Sequence, residues 1–181
     1  LPALLREPRL LCVAGEANAW PHDRALGGPP HPQELVYCCA REVGGERAFD
    51  RLIAPRLPLS RSPIEHAGLA EAELASGASI DAARDDWNRF VRSDDVLCVW
   101  GHHALALMDR DGLALPERRI DLREVARDFL KTRFGIPEQL VERQGLDWRP
   151  AGRGRGGARL GMLVAMTRWL ADEALRGFEF R

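Results

Sequence analysis

Hydrophobic residues along the chain fall into short runs with either strand-like or helix-like spacing. Residues 10–14 form a continuous apolar run, which is typical of a strand buried on both faces. Two more strand-like runs, 34–43 and 47–55, flank the pair Gly44-Gly45, and this arrangement indicates a hairpin. The pattern therefore predicts three opening strands, of which the second and third are antiparallel.

The rest of the chain alternates between helical and strand-like segments. Residues 80–91 and 158–175 have helical spacing of apolar positions, and residues 94–101 predict another buried strand. A second helix is predicted to begin at 105–108, and "RRIDLREVARDFLKTRF" reads as a short strand that turns into a helix. The order β-β-β-α-β-α-(β)-α-α predicts an α/β fold with a mixed sheet. We expect one domain over residues 1–181, with 1–9 and 177–181 peripheral to it.

Composition narrows the functional classes. Hydrophobic residues make up 45% of the chain, charged residues 29%, and the formal net charge is -1, so there is no global attraction to nucleic acid or acidic lipid. No apolar run approaches the ~20 residues that span a bilayer, so we expect no membrane partner. The chain begins with Leu1 rather than Met, which suggests either a piece of a longer protein or a processed form.

The four cysteines lie in apolar runs and form no CxxC pair. This pattern predicts buried free thiols and a cytoplasmic protein, and it disfavours a structural zinc site.

Four sequence segments, in this order and spacing, are the basis of a family resemblance: "LLCVAGEANAW", "FDRLIAPRLPLSRSPIEHAGL", "VLCVWGHHA" and "IDLREVAR". Together they resemble the DEDD-type 3′–5′ exonucleases of the ribonuclease H-like fold, in particular the Eri-1-like branch. The resemblance covers most of the chain and implies a mixed five-stranded sheet with helices on both faces. It also implies two-metal phosphodiester hydrolysis, in which Mg²⁺ or Mn²⁺ ions are held by four carboxylates.

Most of the carboxylates that the resemblance requires are absent from this sequence. The Asp-x-Glu pair of the first strand falls on Ala14 and Glu16, and the Asp after "WG" falls on Ala104. The His-x4-Asp of the last helix falls on Ala158 and Met162, and no carboxylate occurs from residue 152 to 170. One carboxylate cannot hold two hydrated divalent ions, so we expect no catalytic residue, with Glu16 as a remnant, and no metal or other cofactor.

Two alternatives remain open. The chain could be a divergent metal-dependent exonuclease that uses other ligands, such as Glu16, Asp94, Asp95 and Asp121, with Mg²⁺ or Mn²⁺. It could instead be a protein–protein interaction module, which the near-neutral net charge favours slightly.

Several residues are candidates for nucleic-acid binding. "GRGRGG" precedes the last helix, where backbone N–H groups and guanidinium forks suit a phosphate, although a flexible loop is the competing interpretation. Asn18 and Trp20 either present a binding surface or belong to a loop that packs on itself. His66 either contacts substrate or packs its loop, and His102-His103 could bind a transition metal with Glu16 or have a structural or solvent-facing role. The full candidate set is Asn18, Trp20, His66, His102, His103, Arg153, Arg155 and Arg159.

"GEANAWP", "WGHHA" and "DLREVAR" also resemble C-terminal extensions of bacterial DTW-domain tRNA-uridine aminocarboxypropyltransferases. The chain contains no Asp-Thr-Trp motif, so transferase activity could not reside in it. This second resemblance implies RNA, specifically tRNA, and the rest of a longer parent chain as partners. We therefore expect a degenerate exonuclease-fold module that binds or positions RNA and is accessory to a tRNA-modifying transferase.

Overall fold

The strands form one mixed sheet, which confirms the predicted fold class. The structure is a computed structural model that describes residues 7–23, 25 and 27–175; residues 1–6 and 177–181 of the segments expected to be peripheral lie outside that range. The strands are β1 (Leu10–Asn18), β2 (Glu34–Glu42), β3 (Ala48–Leu52), β4 (Val96–Val99) and β5 (Arg119–Asp121). Their order is β3-β2-β1-β4-β5. The first three pair antiparallel, whereas β1–β4 and β4–β5 are parallel.

Seven helices lie within the described residues. They are α1 (Ser62–Glu65), α2 (Glu71–Ala75), α3 (Ile80–Phe90), α4 (His103–Arg110), α5 (Leu122–Leu130), α6 (Pro137–Gln144) and α7 (Gly154–Leu175). The last helix begins four residues before the predicted start, inside "GRGRGG". Sequence reasoning missed α6, although a proline in its first turn and a left-handed Gly145 after its end are ordinary helix boundaries.

The sheet separates two apolar clusters because successive side chains of a strand point to opposite faces. Cys12 packs on one face with residues of α5, α6 and α7, and Leu11 and Val13 pack on the other with residues of α3 and α4. Helices therefore cover both faces, as expected. Within the described part of the chain, no helix combines the length and apolar character needed to cross a membrane.

Candidate functional site

A small cavity of about 100 Å³ lies where the carboxyl half of β1, the segment after β4 and helix α7 meet. Ala14 and Gly15 come from β1, His103 and Ala104 from the start of α4, and Arg159 from α7. The carboxyl ends of parallel strands are the usual location of sites in open α/β sheets. This cavity is therefore where the residues of the predicted exonuclease site should meet.

Glu16 lies beside this cavity and is bound by an arginine. Its side chain is only 5% exposed, and the guanidinium of Arg155 contacts both carboxylate oxygens, with Nε–Oε1 at 3.0 Å and Nη2–Oε2 at 2.5 Å. Arg155 is in the first turn of α7. The hydrogen bond with Glu16 is the main cause that raises the pKa of the Arg155 guanidinium above its ordinary value. The charge of this carboxylate is thus balanced by the protein itself.

The other positions expected to hold metal ligands carry no carboxylate. Ala14 and Ala104, the first two of these positions, both line the cavity. From α7, however, Arg159 and Leu163 line it, each one residue beyond Ala158 and Met162. The Arg159 guanidinium in turn binds Glu138, with Nε–Oε1 at 2.9 Å.

This donor set does not fit a pair of Mg²⁺ or Mn²⁺ ions. Hard divalent cations need several free oxygen ligands, and here one carboxylate faces a guanidinium. Among the residues that the structure describes, no group of three or more His, Cys, Asp and Glu side chains could hold a metal ion.

The ligands of the alternative enzyme interpretation are not brought together. Leu10 pairs with Val96 in the parallel β1–β4 ladder, so Asp94 and Asp95 lie at the opposite end of the sheet from Glu16. Glu16 is six residues beyond Leu10, which corresponds to roughly 20 Å along the strand. Both aspartates are also held by arginines, Asp94 by Arg9 and Asp95 by Arg47.

The fourth carboxylate of that alternative has a structural role. Asp121 caps α5, and its Oδ1 accepts hydrogen bonds from the N–H groups of Gly101 (2.9 Å) and Arg123 (3.0 Å). Its position at the end of β5 is therefore explained by the strand-to-helix turn.

The glycine-arginine segment is ordered and tied to the domain. The N–H of Arg153 donates to the hydroxyl of Tyr37 (2.7 Å), and the N–H of Arg155 donates to the carbonyl of Ala67 (2.8 Å). These two N–H groups are therefore not free to bind a phosphate. A Cβ on Gly157 would lie 1.9 Å from the carbonyl carbon of Gly152, so this glycine permits close backbone packing.

Arg153 also binds carboxylates of its own chain. Its guanidinium contacts Asp50 at 3.1 Å and Glu73 at 2.7 Å, while half of the side chain stays exposed. These contacts raise the pKa of Arg153, mainly through the hydrogen bond with Asp50. All three candidate arginines, Arg153, Arg155 and Arg159, thus have internal acidic partners that the sequence did not reveal. Those partners are distant in sequence, so no local pattern could have identified them.

Asn18 is completely buried and uses its amide inside the fold. Its Nδ2 donates to Glu34 (2.9 Å) and to the carbonyl of Pro58 (3.0 Å), and its Oδ1 accepts from the N–H of Ser60 (2.8 Å). With no exposed surface, the side chain cannot contact a ligand. The prediction that Asn18 belongs to a nucleic-acid interface is therefore wrong. The polar end of β1 instead anchors the loop that precedes α1.

The remaining candidates lie at the surface but are not all in one place. His66, His102 and His103 are exposed, and His103 alone of the three lines the small cavity. Trp20 is half-buried, with its ring 4.8 Å from that of His31. His102 lies on the other side of the start of α4, with Nε2 3.5 Å from Oδ2 of Asp121.

Solved structures show the same fold. The nuclease domain of 3′hExo, a DEDDh family member, bound to rAMP, matches with a TM-score of 0.67 at 16% identity, over 95% of this chain and 94% of that one. Exonuclease X in complex with 5′ overhanging duplex DNA matches with a TM-score of 0.66 at 13% identity, over 91% and 92%. A structure of 3′-end specific recognition of histone mRNA stem-loop by 3′-exonuclease matches with a TM-score of 0.64 at 16% identity, over 94% and 83%.

No family model and no curated protein sequence matches the chain. At these identities the structural likeness establishes the exonuclease fold alone.

Proposed function

We propose that this chain is an exonuclease-fold domain that binds RNA without cleaving it. The observation that supports the proposal is the bidentate ion pair between Arg155 and the buried Glu16. An incoming divalent ion would have to displace the guanidinium and then find further oxygen ligands, and the neighbouring Ala14 and Ala104 supply none. Hydrolysis by two metal ions therefore has no donor set at this position.

The RNA-binding part of the proposal draws on the retained fold. One similar protein is described as bound to rAMP, and another as recognising a histone mRNA stem-loop. The present chain keeps that architecture over nearly its whole length, and the exposed His103 lines the small cavity. We propose RNA as the ligand, with tRNA as the first species to test, and a cytoplasmic accessory role beside a tRNA-modifying enzyme.

The test uses end-labelled single-stranded RNA and tRNA incubated with the purified chain in Mn²⁺, analysed on denaturing and native gels. We expect full-length RNA on the denaturing gel at all times and a retarded band on the native gel. The matched control is Glu16→Gln, which should behave like the unaltered chain in the cleavage assay.

Two results would contradict the proposal. Progressive shortening of RNA that disappears in Glu16→Gln would identify an active nuclease. Intact RNA without a retarded band would remove the RNA-binding part and favour a protein-interaction module.

A further inference from the structure

A groove of about 630 Å³ runs along the outer side of α7, beside the segment that joins α6 to α7 and the end of β2. Its lining includes Arg41, Trp148, Arg149, Arg168 and Trp169. It shares no lining residue with the small cavity near Glu16. The groove is therefore a separate surface, and none of its residues belongs to the candidate set inferred from sequence.

The arginines of this groove form no ion pair with any residue that the structure describes. Arg41 and Arg149 are exposed, and neither side chain has a hydrogen bond or ion pair with another residue in the described ranges. Arg168 donates through Nε (3.2 Å) and Nη2 (2.7 Å) to the carbonyl oxygen of Val43. A carbonyl orients the guanidinium without neutralising it, so Arg168 presents a fixed cation to the groove.

The two tryptophans provide flat surfaces in the same groove. Trp148 and Trp169 are both half-buried, pack against the core and also line the groove. The Trp169 ring is further fixed by an edge contact with Phe129, with ring centroids 5.7 Å apart. Indoles held in this way lose little freedom when a base stacks on them, and stacking tolerates any base sequence.

We propose that this groove holds a single strand of RNA, with phosphates on Arg41, Arg149 and Arg168 and bases on the two indoles. The inference rests on the proposed RNA-binding function and gives it a location outside the small cavity. Guanidinium groups together with aromatic faces are the combination that single-stranded nucleic acids require. An acidic peptide would satisfy the arginines but would leave the indole faces without a stacking partner.

Two aspartates also line the groove and oppose this binding. Asp147 and Asp172 reduce the lining charge to one net positive against three arginines. The affinity should consequently be moderate and should depend strongly on salt. The same aspartates supply a control of opposite sign, because their neutralisation should strengthen the binding of an anion and weaken that of a cation.

The experiment measures binding of a fluorescein-labelled 12-nucleotide oligouridine by anisotropy at several salt concentrations. Arg41→Gln/Arg149→Gln should weaken binding about tenfold or more at low salt and make its salt dependence shallower by roughly 1.4 in log–log slope. The matched control is Arg92→Gln, which alters an exposed arginine that does not line the groove. That variant should bind like the unaltered chain.

Variants at the other groove residues distinguish the contributions of base stacking and of charge to binding from a loss of the folded structure. Trp148→Leu should lose roughly fivefold to a hundredfold in affinity, whereas Trp148→Phe, which keeps a ring, should retain most of it. Asp147→Asn/Asp172→Asn should tighten binding severalfold. Circular dichroism of every variant verifies that the fold is intact.

The outcomes distinguish this inference from the function on which it rests. If the unaltered chain binds RNA and the double arginine variant binds equally well, the groove is not the site and the proposed function stands. If the unaltered chain does not bind the oligonucleotide or tRNA at any salt concentration, the proposed function itself is overturned, and the groove assignment with it.

Discussion

The two halves of α7 use the same residue type in different ways. Near the amino end, Arg153, Arg155 and Arg159 each bind a carboxylate from another element of the fold. In the carboxyl half, Arg168 is held by a carbonyl, and the groove that it lines contains Arg41 and Arg149, which have no acidic partner among the residues that the structure describes. The comparison shows that whether an arginine is available to a ligand depends on its three-dimensional neighbours, and the sequence around it does not reveal those neighbours.

The amino end of α7 and the groove are therefore expected to have different roles. The amino end of α7 stabilises the domain, because its arginines tie the helix to β1, to β3 and to α6. The exposed Arg41 and Arg149 of the groove are expected to contribute less to stability, since exposed side chains without buried partners stabilise a fold little. We therefore expect substitutions of the arginines at the amino end to change folding and substitutions of the exposed groove arginines to change binding.

The largest effect is expected from breaking the Glu16–Arg155 pair. Arg155→Ala leaves a buried carboxylate without its cation and should lower the free energy of unfolding by about 3 kcal/mol. Arg149→Ala removes an exposed arginine and should change it by less than about 0.5 kcal/mol. Urea denaturation followed by circular dichroism measures both values.

A double variant tests whether the unpaired buried charge causes this loss of stability. Glu16→Leu/Arg155→Met removes both charges and should recover most of the stability lost in Arg155→Ala, because no charge then stays buried alone. Equal destabilisation by Arg155→Ala and Arg149→Ala would contradict the distinction between the two ends of α7.

The next effect concerns the contact that positions the groove. A Cβ on Gly161 would lie 1.9 Å from the carbonyl oxygen of Arg149, so the segment carrying Trp148 and Arg149 approaches α7 at a glycine. Gly161→Ala should force the backbones apart and cost about 1–3 kcal/mol in thermal or urea unfolding. Gly44→Ala is the control, since no atom lies within 4 Å of its added Cβ, and it should be nearly neutral. A neutral Gly161→Ala would show that this close approach does not fix the groove.

A smaller effect is expected for the exposed ion pair at the amino end. Arg153 and Glu73 have side chains that are 50% and 46% exposed, so water screens their attraction. A double-mutant cycle with alanine at each position should give a coupling energy below about 1 kcal/mol. A coupling as large as that of Glu16 and Arg155 would mean that burial does not rank these pairs.

The last prediction concerns the stability of the fold at alkaline pH, and the effect is absent at neutral pH. Burial, the largest cause, raises the pKa of the Tyr37 hydroxyl well above its ordinary value of 10.0. A raised pKa in the folded state gives stability that is complete below pH 10 and decreases as the pH rises above it. Tyr37 is the single tyrosine of the chain, so ultraviolet difference absorbance reports it alone.

At about pH 11 the folded chain should show little tyrosinate absorbance, and the signal should appear together with unfolding. Tyrosinate formed at pH 10 in a chain with native circular dichroism would contradict the burial of this hydroxyl.

The fold was predictable because its hydrophobic pattern is strong. The run at the start of β1, the Gly44-Gly45 hairpin and the helical spacing of 80–91 all depend on neighbours close in sequence, and all appear in the structure. Helix α6 was missed because it is short: Pro137, Leu140 and Val141 have the helical spacing i, i+3 and i+4, but three apolar positions in eight residues do not establish a period.

The site was predictable only in part, for a different physical reason. The sequence segments that resemble the exonucleases were enough to single out Ala14 and Ala104, and both residues line the cavity. The burial of Asn18 and the acidic partners of the arginines depend on contacts between residues up to 139 positions apart, which a single sequence does not encode in any local pattern. The groove was missed for the same reason, since Arg41 and Arg168 come together only in the folded chain.

The pair formed by Glu16 and Arg155 also constrains how this gene can evolve. A new aspartate at Ala14 or Met162, both buried, would introduce a second buried carboxylate, whereas Arg155 and Arg159 are already paired with Glu16 and Glu138. Each single step towards a full set of metal ligands would therefore lower stability before it could bring any activity. Selection acting on one substitution at a time would reject these intermediates, so descendants of this sequence should diversify at the groove and the exposed loops rather than acquire a metal site.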